Sequence, residues 1–167
     1  LSITFDVKGV DFDKSYKAET VGLAKGKTIK KSGVTYKVTT AATYTEGTDK
    51  KTTGKVQVTG FDKKAKTLKV ADTIKVGTES YAVTSIKAGA FKGASKVTAV
   101  TLGKKVKSIG KDTFVNCKKL KTLTIGVKLS SVTKNSFKGC KTVKVKGTAA
   151  AANKKLLAKQ NKTVKFK

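Results

Sequence analysis

Cys117 and Cys140 are the first candidates for chemistry in this chain. A thiolate can act as a nucleophile or a metal ligand, but a zinc site needs four donors, and the chain has no histidine to complete the set. The same absence removes the commonest general base and proton shuttle. Asp11 and Asp13 followed by Ser15 imitate the opening of a calcium loop, yet Tyr16 stands where the turn glycine belongs and Gly22 where the final glutamate belongs. These acids read as solvated loop residues. The remaining carboxylates are scattered, and no Ser–Lys pair is singled out as a nucleophilic dyad. From these residues we expect no catalytic residues, no cofactor and no metal site, and the chain does not read as an enzyme.

Charge is the other property that could recognise a ligand. The formal net charge is +28, and all 38 basic residues are lysine. Residues 1–82 hold 16 Lys against 9 acids (+7), while residues 83–167 hold 22 Lys against Asp112 alone (+21). Such a surface attracts polyanions, with a reach set by a Debye length of roughly 10 Å at 0.1 M salt. Base-specific readers of nucleic acid use the planar fork of arginine and stacking aromatics. With no arginine and only 7% aromatic residues, specific nucleic-acid recognition is not expected. No apolar run is long enough to span a bilayer, so membrane insertion is not expected either. The chain begins at Leu1, with no apolar leader, which reads as a mature form or an excised domain.

The elements that would position these charges follow from an internal repeat. VTSIKAGAFKGASKVTAVTL, VKSIGKDTFVNCKKLKTLTI and SSVTKNSFKGCKTV superpose without gaps on a 23-residue period. The columns are Ile86, Ile109 and Val132; Phe91, Phe114 and Phe137; Ala94, Cys117 and Cys140; and Val97, Leu120 and Val143. A period of this length with an apolar L-x-x-L-x-L stretch in each unit is the mark of a leucine-rich repeat, whose coils stack because none can bury its apolar side alone. In KTLTI, Leu123 and Ile125 face the core while Thr122 and Thr124 face out, so stacked coils place these strands side by side in a parallel sheet. The outward positions form a concave strip of Thr67, Lys69, Ala99, Thr101, Thr122, Thr124, Lys144 and Lys146, the last two after a shortened third unit. The three phenylalanines are expected to stack inside as a ladder. The Cys column asks for a small apolar group, since Ala94 fills it without sulfur, and two buried free thiols are expected in preference to a disulfide.

The flanks read as caps. Ile3, Phe5 and Val7 alternate with polar residues as a half-buried strand within residues 1–21, an opening segment or the end of a preceding domain. From 22 to 82, short strands and glycine turns make an N-terminal β cap that includes the first coil. Ile29, Tyr36, Val38 and Thr39 recur in the same order and spacing as Ile74, Tyr81, Val83 and Thr84, each set forming a hairpin with Gly33 or Gly77 near its turn. The repeats occupy 83–147. In 148–167, Thr148 caps a helix with Ala149, Ala152 and Leu156 on its apolar face, Asn161 stops it, and Val164–Phe166 returns to the sheet edge. Asn161, Lys162 and Thr163 spell a glycosylation sequon, read as accidental. The fold class is mainly β: a short leucine-rich-repeat solenoid of 23-residue coils with a hairpin cap before it and a helix–strand cap after it.

IKAGAFKGASKVTAVTL and IGKDTFVNCKKLKTLTIG resemble the BspA-like leucine-rich repeats of bacterial surface proteins, whose units read roughly I-G-x-x-A-F-x-x-C-x-x-L-x-x-I-x-I. The resemblance covers about 65–147, and departs from the pattern in the small number of full repeats, in Ala94 and in the lysine excess. It implies secretion or attachment to the cell wall of a bacterium, adhesion to host or bacterial partners, and no catalytic residues. The function expected is a secreted or cell-surface binding module that contacts a surface protein or an anionic glycan as a monomer. The rival is a structural spacer or a self-assembling surface subunit without a specific ligand.

Overall fold

The computed structural model describes residues 18–45 and 50–167; the Ile3–Val7 strand and the Asp11–Ser15 loop expected from the sequence lie outside them. The N-terminal part supplies β1 (Ala18–Val21), β2 (Thr28–Lys31), β3 (Val34–Thr40), β4 (Ala42–Thr45), β5 (Lys50–Thr52), β6 (Gly54–Phe61), β7 (Thr67–Lys69), β8 (Thr73–Val76) and β9 (Glu79–Ile86). The repeats supply β10 (Ala99–Leu102), β11 (Ser108–Ile109), β12 (Thr122–Ile125), β13 (Ser131–Val132) and β14 (Thr142–Gly147). Helix α1 (Ala150–Gln160) and β15 (Lys165–Phe166) follow.

The echo within the N-terminal part is a pair of hairpins in one sheet. Ile29 pairs with Tyr36 across β2 and β3, and Ile74 pairs with Tyr81 across β8 and β9. The first hairpin turns at Ser32 and Gly33, both at positive φ (50° and 76°), the backbone twist that suits a two-residue turn. Strand β6 joins the two hairpins, antiparallel to β3 and parallel to β9, giving the order β2-β3-β6-β9-β8. A smaller sheet, β1-β4-β5, lies beside it, tied by an ion pair of Lys51 with the nearly buried Glu79 at 3.3 Å.

From β7 onward the chain coils. Parallel pairing sets Thr67 against Ala99, Ala99 against Thr122, Thr122 against Lys144 and Thr142 against Lys165, in the order β15-β14-β12-β10-β7. Ala99 and Thr122 are one full period apart, whereas Thr122 meets Lys144, one position short of a period, which locates the shortening expected of the third unit. A second, two-stranded parallel ladder of β11 and β13 lies elsewhere on the coil. Leu68, Val100, Leu102, Leu123, Ile125, Val143 and Val145 alternate inward and are buried.

The phenylalanine ladder is longer than the repeat shows. Phe91, Phe114 and Phe137 are fully buried, with centroids 5.5 and 4.6 Å apart. Phe61 caps one end edge-on at 6.3 Å and Phe166 the other at 5.4 Å. Each full burial stabilises by about 1.5–3 kcal/mol, and ring pairs at these separations add about 0.5–1.5 kcal/mol. Phe61 and Phe166 escape the alignment because they come from the caps, off the period of the repeat.

Two turns in each coil need left-handed backbone. Gly89, Asp112 and Asn135 form one such column, and Gly93, Asn116 and Gly139 another, with φ between 57° and 87°. Glycine adopts this region freely, and Asn and Asp tolerate it better than other residues. The Cys column behaves as expected: both thiols are free and buried. Cys117 donates its S–H to the Phe91 carbonyl at 3.1 Å, and Cys140 to that of Phe114 at 3.2 Å. The sulfurs thus point the same way, each toward the preceding coil. The neighbouring Cys117 and burial push the Cys140 thiol well up, so it stays protonated at neutral pH.

The last coil ends differently from the expectation in its details. Helix α1 starts after Ala149, which is left-handed (φ 52°), with no side-chain cap, so Thr148 does not cap it. Thr148 instead uses its backbone N–H on Ile125 O at 2.9 Å and its carbonyl on Asn153 Nδ2 at 3.1 Å. The buried face carries Asn153 and Leu157, with Ala149, Ala152 and Leu156 at its margins. The reason is polar. Within the stack, Phe91 N–H donates to Thr113 O and Phe114 N–H to Ser136 O, each reaching the next coil. Phe137 has no next coil of this kind, and its N–H donates to Asn161 Oδ1 at 2.9 Å. Leu129 N–H donates to Asn153 Oδ1 at 2.8 Å, while Asn153 Nδ2 donates to Val127 O at 2.9 Å. The Asn161 amide and the Gln160 carbonyl, which accepts from Asn135 N–H at 3.0 Å, therefore stand in for the backbone of a further repeat, and Asn153 ties the helix to Leu129 and Val127. Asn161 does end the helix, as expected, and at 1% exposure with both amide atoms engaged it leaves no room for a glycan at the sequon.

Candidate functional site

The eight residues of the expected strip lie on the parallel sheet in two rows. One runs Thr67, Ala99, Thr122, Lys144 and the other Lys69, Thr101, Thr124, Lys146, each residue in ladder register with its neighbour. They alternate with the buried positions, so all eight point to the face away from the ring ladder. Thr67, Lys69, Lys144 and Lys146 on the outer strands are exposed, and the four residues on β10 and β12 are half-buried.

The face is neutral and hydroxyl-rich at its centre and cationic toward its ends. The sequence reading missed two members. In β15, Lys165 lies opposite Thr142, and Lys167 follows it with backbone bonds to Val143 and Val145. Lys167 continues the first row beyond Lys144 and Lys165 lies beside Thr142 on the same face, so four lysines gather at one end. The signal was faint, because β15 carries no repeat motif; the alternation Val164, Lys165, Phe166, Lys167 was its only trace.

Flanking the strip is a second lysine-rich feature, where each coil turns into its sheet strand. Shallow grooves run there between neighbouring coils, one of about 460 Å³ bounded by Lys64, Lys66, Lys96 and Lys119, the next of about 410 Å³ bounded by Lys118, Lys119, Lys121 and Lys141. The repeat could have exposed it, since Lys96 and Lys119 share one column of the alignment and Lys118 and Lys141 another. The acids and thiols converge nowhere comparable. Among the described residues no three of Cys, Asp and Glu cluster in a way that could hold a metal ion.

A protein-family model described as a BspA type leucine-rich repeat region (6 copies) matches residues 73–151. Among solved structures, a leucine-rich repeat protein from Bacteroides capillosus is similar at 18% identity and a TM-score of 0.54, with 84% of this chain and 98% of that chain covered. A leucine-rich repeat protein from Bacteroides ovatus is similar at 24% identity and a TM-score of 0.49; 71% of this chain is covered, and the chain spans 37% of that protein. The pneumococcal vaccine antigen PcpA is similar at 17% identity and a TM-score of 0.39, over 87% of this chain and 39% of that one. No curated protein matches the chain. The first of these likenesses agrees with the solenoid fold described above.

Proposed function

Because the repeats of this chain are BspA-like leucine-rich repeats, we propose that it is a binding module secreted by, or displayed on, a bacterium. The observation that supports this most is the parallel sheet, whose two registered rows, polar except at Ala99, lie on the face opposite the buried apolar side of its strands. The partner is a surface protein or an anionic glycan of a host or another bacterium. The face has hydroxyls and ammonium groups but no aromatic anchors: the tyrosines of the hairpins, Tyr36 and Tyr81, are buried. Tight protein–protein sites concentrate energy in Trp, Tyr and Arg. An anionic partner held by charge and hydroxyl contacts suits this surface better.

The rival role, end-to-end stacking of copies, meets a closed surface at one end. Asn161 Oδ1 and Gln160 O already occupy the Phe137 and Asn135 N–H groups that a further coil would bond. The chain is therefore expected to be monomeric. The experiment is binding of the purified chain to a glycan array and to bacterial and host cells at two ionic strengths, with its mass in solution measured alongside. Salt-sensitive binding by a monomer supports the proposal. A chain that binds nothing in low salt, yet grows into polymers with concentration, would make it a structural subunit.

A further inference from the structure

The lysines beside the concave sheet are arranged in a line. Thr98 N–H donates to Lys66 O and Lys121 N–H to Thr98 O, each at 2.8 Å, so these three positions sit side by side in successive coils. Lys119 borders both inter-coil grooves, so the two lie end to end and together make a lysine-lined trough across the coils from Lys64 to Lys141. Neighbouring strands are about 4.8 Å apart, so three steps give the trough a length on the order of 15 Å. No carboxylate lines either groove. Among the described residues, none of these lysines is in an ion pair with an acid.

Stacking like charges in adjacent strands is unfavourable. A chain of anions laid along the trough removes that repulsion and releases the counterions condensed on itself. A single small anion would gain less, because the amines are strung out along an open trough and do not converge on one point. Lysine also brings three rotatable donors on a flexible stem, which suits a repeated anionic group and not one rigid headgroup.

We propose that this trough is the seat of a linear polyanion carrying an anionic group on each monomer, lying parallel to the solenoid axis and crossing the coils. The concave strip is the less suitable seat, since its centre is Ala99, Thr101, Thr122 and Thr124. The inference rests on the reading of the chain as a binding module and gives it a ligand class and an address.

The test uses the full chain, with heparin-derived oligosaccharides and inorganic polyphosphate of graded length as probes and fluorescence anisotropy as readout. Affinity should rise with length until the probe spans about 15 Å and then level off. The variant K96Q/K119Q/K141Q should bind about tenfold or more weakly, with the slope of log K against log salt reduced by about three. The variant K37Q/K55Q/K75Q removes the same charge from exposed positions of the hairpin cap and should lose much less. Binding of both probes, or of one alone, supports the trough and tells a phosphate polymer from a sulfated glycan. Equal losses in the two triple variants would show that net charge alone attracts the polymer, and the trough would be dropped. A larger loss in K144Q/K146Q than in the trough variant would move the site to the concave strip. If neither probe binds in low salt, the trough is wrong, while the surface-module reading is judged separately by whole-cell binding.

Discussion

At the N-terminal end the first coil is covered by a sheet of two hairpins; at the C-terminal end the last coil is covered by one helix and a two-residue strand. Both covers set a half-buried phenylalanine against the end of the ladder, Phe61 and Phe166. They differ in how they satisfy buried polar groups. In the N-terminal cover, strand pairing satisfies most of the backbone, and tyrosine hydroxyls close the remainder. Tyr36 donates to Lys69 O at 3.3 Å and accepts from Ala71 N–H at 3.4 Å, while Tyr81 accepts from Leu23 N–H at 2.6 Å. In the C-terminal cover, the interior backbone groups of the helix are bonded to one another, and it is the carbonyl of its last residue, Gln160, that reaches the coil, accepting from Asn135 N–H at 3.0 Å. Side-chain amides of Asn153 and Asn161 satisfy the Leu129 and Phe137 N–H groups. In this chain the β cap is closed with tyrosines and the helical cap with two buried asparagines.

The shared ladder sets the scale against which the two ends are compared. Phe114→Ala, at its middle, should destabilise by about 3–5 kcal/mol, since both adjoining coils line the cavity, and Phe61→Ala or Phe166→Ala should cost less because those rings are half-buried. Chemical denaturation of the three variants checks this; a loss under about 1 kcal/mol for Phe114 would remove the ladder as the core.

The helical end should be the more sensitive to loss of a polar side chain. Asn161→Ala strands the Phe137 N–H and Asn153→Ala strands that of Leu129, each in a buried site, so each should cost about 2–3 kcal/mol. If both fall within about 0.5 kcal/mol of the parent, water replaces the amides and the contrast between the ends collapses.

At the hairpin end, Tyr36→Phe should cost only about 1 kcal/mol. Burial pushes the Tyr36 hydroxyl above its usual 10.0, offset in part by the Ala71 N–H. The raised value means that the fold favours the neutral phenol. This contribution is complete below about pH 10 and is lost as pH rises through the raised value. The alkaline fall in stability should accordingly be shallower in Tyr36→Phe than in the parent, as followed by denaturation at a series of pH values.

Between the ends, Cys117→Ala should cost about 1 kcal/mol or less, because Ala94 fills the same column one coil earlier. A thiol reagent should label neither cysteine in the native chain and both after unfolding without reductant. The smallest effect is expected at Ser136, whose buried Oγ has no hydrogen-bond partner while Thr113, one coil before, donates to Gly110 O at 3.0 Å. Ser136→Ala should leave stability unchanged or raise it by up to about 1 kcal/mol.

Whatever repeats or alternates in this molecule was legible in the chain itself. The aligned columns, the three inner phenylalanines, the paired hairpins and the two rows of the concave strip depend on side chains recurring at fixed spacing, and a parallel register carries that spacing directly into neighbouring positions. Whatever happens once, at places where the period stops, was settled by packing. Phe61 and Phe166 join the ladder, Asn153 displaces the expected apolar face of α1, and Lys165 and Lys167 extend the strip, each placed by the need to cover or bond the last coil. The lysine trough lies between the two cases. Its spacing was present in the chain, in the columns Lys96 and Lys119 and Lys118 and Lys141, but only the stacking of coils brings Lys66 of the first coil beside them and sets the two grooves end to end at Lys119.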